Sequence, residues 1–169
     1  ATIQFPTLTS GIGNLPGTYA ATFANIPALG ELLLGTQWAL LLGLGALGLA
    51  KNAKKSFEDA LAIDPKALDG SAYTSLGSLY YQVPGWPIGF GDDKMALEML
   101  NKGLALNPNG IDPNYFYGDF LFRNGDLNGA ENALKKALAA APRDGRALAD
   151  EGRRKEINEL LSKVAKKRK

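Results

Sequence analysis

The 169-residue chain contains neither histidine nor cysteine, so any chemistry must come from its carboxylates, hydroxyls, amines, amides and aromatics. That removes imidazole bases, thiol nucleophiles and the usual zinc, copper and haem ligand sets. Two oxygen-rich clusters remain. Asp92 and Asp93 form an adjacent carboxylate pair ahead of a stretch with helical periodicity. Acids at a helix start favour the dipole, so capping is the expected use and acid–base work the competing one. Asn107, Asn109 and Asp112 gather oxygens as a calcium loop does, but without its spacing or its terminal bidentate acid. Nor does the sequence contain a phosphate-cradling loop or a nucleotide fingerprint. The residue types therefore predict a protein that is not an enzyme and uses no cofactor or metal.

Charge points the same way. A formal net charge of +2 is too small to argue for a nucleic-acid partner, and most of the excess sits in Lys166, Lys167, Arg168 and Lys169. That tail is expected to be a solvated helix end. With 46% hydrophobic and 21% charged residues, the chain should fold.

What remains is recognition, and recognition needs a scaffold. The pattern A-x-x-x-[F/L]-x-x-[A/G]-x-x-x-x-P occurs at Ala53, Phe57, Ala60 and Pro65, again at Ala96, Leu100, Gly103 and Pro108, and again at Ala130, Leu134, Ala137 and Pro142. The offsets are 43 and then 34 residues at all four positions. Spacings of four and three put the small and large apolar side chains on one helix face, and the proline five residues on stops the helix. Upstream lies a second helical pattern in two of the units, marked by Leu76, Gly77 and Tyr80 and by Tyr117, Gly118 and Leu121. Each unit therefore reads as an antiparallel helix pair. Helices are predicted at 51–63, 71–82, 92–106, 112–124 and 127–140, with Asp92, Asp112 and Asp126 as caps and Pro113 at the first helical position. A last helix from about 147 carries Ile157, Leu160, Leu161 and Val164 at helical spacing.

These repeats resemble the tetratricopeptide repeat, whose period is 34 residues and which places Gly on its first helix and A…F…A…P on its second. The resemblance implies an all-α, right-handed helical-repeat solenoid over 26–145, closed by a capping helix at 146–169. It further implies that inward-facing positions of the first helices line a protein-binding groove. In this sequence those are Thr74, Ser78, Tyr81 and Gln82, then Tyr115, Asp119, Phe122 and Arg123. A solvated helix face is the alternative use of the same positions.

The longer first offset comes from an inserted loop, 83–91, whose prolines and glycines forbid a helix. Trp86 and Phe90 in it are costly to leave in water, so they are expected either to pack back or to meet a partner. The loop resembles one in bacterial tetratricopeptide proteins associated with TRAP transporters. Those proteins are periplasmic, which implies a periplasmic or extracellular location here.

The first 50 residues carry one charge, Glu31, while the other 119 carry all 19 Lys and Arg and 16 of the 17 acids. Residues 1–25 read as an extended apolar arm with Ile3, Phe5, Leu8, Ile12, Leu15, Tyr19 and Phe23 as its larger side chains. Such an arm is expected to lie along another copy of the chain, giving a homo-oligomer or a filament. The Leu-rich stretch 32–50 also invites a transmembrane reading. Nine leucines at about −0.5 kcal/mol each are opposed there by Thr36, Gln37 and four glycines, so insertion comes out near zero.

Overall fold

The structure is a computed structural model that describes the backbone from Pro27 onward and the side chains from Gly45 onward. The expected arm at 1–25 lies outside the described residues. Six α-helices follow in order: α1 (Pro27–Ile63), α2 (Ser71–Gln82), α3 (Asp93–Leu106), α4 (Ile111–Arg123), α5 (Leu127–Leu138) and α6 (Ala147–Lys167). Among the described residues there is no strand, only a single bridge between Gly85 and Gly91. The protein is all-α, as the periodicity requires. By contact the chain divides into two compact units, 1–46 and 47–169. In the first, the backbone is helical from Pro27, where proline suits an initial helical position that needs no N–H. Among the described residues no helix is long and apolar enough to cross a membrane. Residues 32–44, which carry most of that expectation, have no described side chains.

The second unit is built on three glycine contacts. A β-carbon added to Gly77 would fall 2.8 Å from Cγ of Leu100, and one added to Gly103 would fall 2.5 Å from Oγ1 of Thr74. As the number drops from 77 to 74 along α2, its partner rises from 100 to 103, so α2 and α3 run antiparallel. In the next pair Gly118 of α4 meets Leu134 of α5 in the same manner. The expected small-residue contacts are therefore where the two helices of each pair touch.

Burial follows the repeat pattern in the second and third units, whereas in the first Ala53 and Phe57 are half-buried and Ala60 is exposed. Ala96 and Leu100, and Ala130, Leu134 and Ala137, are fully enclosed. Each large aliphatic side chain so buried contributes about 1.5–3 kcal/mol. One cluster joins Leu76, Tyr80, Leu100 and Phe120, with Phe57 and Leu61 of α1 packed on it; the other joins Ile111, Leu134, Ile157, Leu160 and Val164. The predicted last helix thus closes the second core with the residues its spacing singled out.

Helix ends show why the boundaries fall where they do. Asp92 Oδ1 accepts from the backbone N–H groups of Lys94 (2.8 Å) and Met95 (3.1 Å), and Asp126 Oδ1 accepts from Gly129 N–H (2.8 Å). Asp92 is a cap, the use its position predicts. Gly125, at φ 85°, makes the left-handed turn between α4 and α5 that other residues resist. Asp112 departs from expectation: α4 starts at Ile111 with Gly110 as its cap, so Asp112 sits within the first turn. Its carboxylate is taken by Arg143 and Arg153 instead.

Candidate protein-binding face

Tyr81 lies in the last turn of α2 and Asp119 in the second half of α4, and their side chains meet. The Tyr81 hydroxyl donates to Asp119 Oδ2 at 2.9 Å, and Arg123 Nε donates to the same oxygen at 3.1 Å. Asp119 and Arg123 are four residues apart, so one helix presents acid and base to the same spot. The Arg123 guanidinium also lies 5.1 Å from the centre of the Tyr81 ring, and that ring meets Phe120 edge-on at 5.7 Å. Gln82 Nε2 completes the group by donating to the Tyr81 hydroxyl at 3.3 Å. Burial, and after it the negative charge of Asp119, push the Tyr81 phenol well above its ordinary range. It stays a neutral hydrogen-bond donor.

One turn earlier on α4, Tyr115 packs edge-on against Phe116 at 5.1 Å. Arg153 of α6 lies over both rings, 4.4 and 4.7 Å from their centres, while its Nε donates to Asp112 Oδ1 at 2.8 Å. Burial is the main cause that raises the Tyr115 phenol, with Glu156 and Asp119 adding to it. Phe122 is half-buried under the Lys167 ammonium, 5.1 Å away. The face therefore combines half-buried aromatic rings with cations already seated on them. Such surfaces recognise peptide and side-chain groups rather than enclose a metabolite.

Six of the eight expected positions line this face or its rim: Tyr81, Gln82, Asp119 and Arg123 as one network, Tyr115 beside it and Phe122 toward the C-terminal helix. Of the other two, Thr74 is 4% exposed and packs against Gly103, so it belongs to the α2–α3 contact. Ser78, half-buried one turn before Tyr81 and Gln82, turns its hydroxyl back to the Ser75 carbonyl at 2.8 Å. Sequence reasoning passed over Phe116 and Arg153; the aromatic at 116 was a local signal, while nothing local places Arg153 of α6 above α4.

Arg143 fixes that last helix in place. It bonds Asp112 of α4 (2.5 Å) and Asp150 of α6 (2.7 Å for Nε), and its backbone N–H donates to Asp150 at 2.8 Å. Arg154 donates to the carbonyls of Leu138, the last residue of α5, and of Ala140, two residues beyond it. Arg168 of the basic tail is bound to Glu131, Asn128 and the Leu127 carbonyl. Arg168 thus ties the end of α6 to the start of α5 while the tail stays exposed.

The inserted loop divides its two aromatics. Phe90 packs edge-on against Tyr80 at 5.9 Å, with the Lys54 ammonium 6.0 Å from its ring centre. Trp86 stands 90% exposed, followed by a cis peptide to Pro87 and by Ile88 at 70%. Among the described residues no group of three or more acids gathers as a metal site, and Asp112 is engaged by arginines as above.

Residues 91–150 match the family model described as tetratricopeptide repeat. No curated protein matches the chain. The match runs from just before α3 into α6, so these residues are similar to the tetratricopeptide repeat, a helical-repeat module of the kind that mediates contacts between proteins.

Proposed function

We propose that the chain is a non-catalytic interaction scaffold whose partner is another copy of itself, joined through the N-terminal arm of residues 1–25. The observation that carries this reading is the distribution of charge. A stretch of 50 residues with Glu31 as its one charged side chain is attached to a repeat unit that has its own two cores. Burying the larger apolar side chains of that stretch is worth about 1.5–3 kcal/mol each, and a second chain offers the surface to do it. The contact is heterologous, arm to repeat face, so it closes into a ring or continues as a filament. An extracytoplasmic location accords with the likeness of the 83–91 loop to periplasmic proteins. Molar mass in solution, for the full chain and for residues 26–169, tests the reading. The full chain should form oligomers and the shortened chain a folded monomer; equal masses for the two would remove the arm from the account.

A second reading has its own observation. The network of Tyr81, Asp119 and Arg123 leaves the Arg123 side chain half exposed at 51%, open to a foreign peptide. In that case the protein is a monomeric adaptor, and the full chain has a monomer's mass at every concentration.

A further inference from the structure

The 83–91 loop holds the largest exposed aromatic surface among the described side chains, and it holds it rigidly. Gly91 N–H donates to Pro84 O (2.9 Å), Ile88 N–H to Gly85 O (3.1 Å), Gly89 N–H to Gly85 O (3.0 Å), and Asp92 N–H to Tyr80 O (2.9 Å). A β-carbon at Gly91 would come within 2.0 Å of Val83 O, and one at Gly89 within 2.4 Å of Pro84 O, so the backbone is closed as tightly as glycine permits. Phe90 anchors the loop on Tyr80. A loop fixed from below and apolar at its tip pays little ordering entropy when it binds.

We propose that this loop is a preformed anchor for a second copy of the chain, with Trp86 and Ile88 as the side chains buried in the contact. The inference rests on the self-association reading above and names a second point of attachment for it. Three observations favour a second copy as the occupant. The loop carries no charge, and Leu47 of α1, whose Cδ1 lies 3.3 Å from where a β-carbon on Gly89 would sit, continues its apolar surface. Of the neighbouring lysines, Lys54 pairs with Glu58 and Lys55 with Asp59, so only Lys51 stands outside these two pairs; an anionic bilayer or polyanion would want more of that charge uncompensated. Each copy also supplies an uncharged counterpart in residues 32–50. Trp86 and Ile88 together cover on the order of a few hundred Å², against roughly 1,000 Å² for a stable interface. The loop therefore adds to the contact made by the arm and does not replace it.

The test uses the full chain. Sedimentation equilibrium should show association weakened at least about tenfold in the Trp86→Ser, Ile88→Ser double variant, with helical circular dichroism unchanged. The emission difference between wild type and Trp86→Phe isolates Trp86, and it should move to the blue as oligomers form. This second measurement decides the matter if the double variant does not fold. Oligomers that form with Trp86 still emitting as in water, or with wild-type affinity in the double variant, overturn the anchor and leave self-association standing. A wild-type chain that is monomeric throughout overturns both. A blue shift of the monomer on phosphatidylglycerol vesicles alone overturns it in favour of a membrane surface.

Discussion

Gly118 approaches Leu134 so closely that a β-carbon on the glycine would lie 2.9 Å from the leucine Cγ, and the spacing of helices α4 and α5 depends on that missing side chain. Gly118→Leu should therefore overpack the pair and cost about 1–3 kcal/mol. Thermal denaturation reads this as a lowered midpoint. An unchanged midpoint would mean that the helices can part there at no cost.

The Tyr81 hydroxyl is a bond rather than a bystander. Tyr81→Phe removes one donor from Asp119 while Arg123 still satisfies the carboxylate, so no buried charge is orphaned. The expected loss is about 0.5–1.5 kcal/mol in chemical denaturation. Combined with Asp119→Asn, the change should cost less than the sum of the two alone, because both break the same contact. Strict additivity would show that the two residues do not interact.

Asp150 gives the protein an acid-sensitive joint. Its backbone bond from Arg143 and then the Arg143 side chain hold its carboxyl below the ordinary value of 3.8. A depressed acid contributes stability that is present above its unfolded pKa and lost as pH falls through the folded one. At neutral pH Asp150→Asn should lower the melting temperature. As the pH falls below 3.8, the wild type should lose that advantage and the two curves converge. A constant difference between them across the acid range would assign Asp150 a role other than its charge.

Much of the repeat was readable because its determinants are local. Ala96, Leu100 and Gly103 lie within two turns of one another, and their spacing alone puts them on one face. The same holds for Asp92 and Asp126, whose capping bonds reach only two or three residues along the chain. Asp112 was misread for the opposite reason. Its neighbours spell a cap, but its partners, Arg143 and Arg153, are 31 and 41 residues away. Thr74 has the right spacing for the binding face, and only the close approach of Gly103 shows that it is used for packing. The fate of Trp86 could not be separated from that of Phe90, since only the fold decides which aromatic finds Tyr80.

The central claim is that residues 1–25 of one chain lie on another. A photo-crosslinking phenylalanine analogue placed at Phe5, in chains made separately with 14N and 15N and then mixed in equal amounts, tests it most directly. Mass spectrometry should find mixed-isotope crosslinked peptides, joining the arm to residues 47–169, as often as same-isotope ones. Crosslinks confined to a single isotope would mean that the arm folds back on its own chain, which contradicts the account.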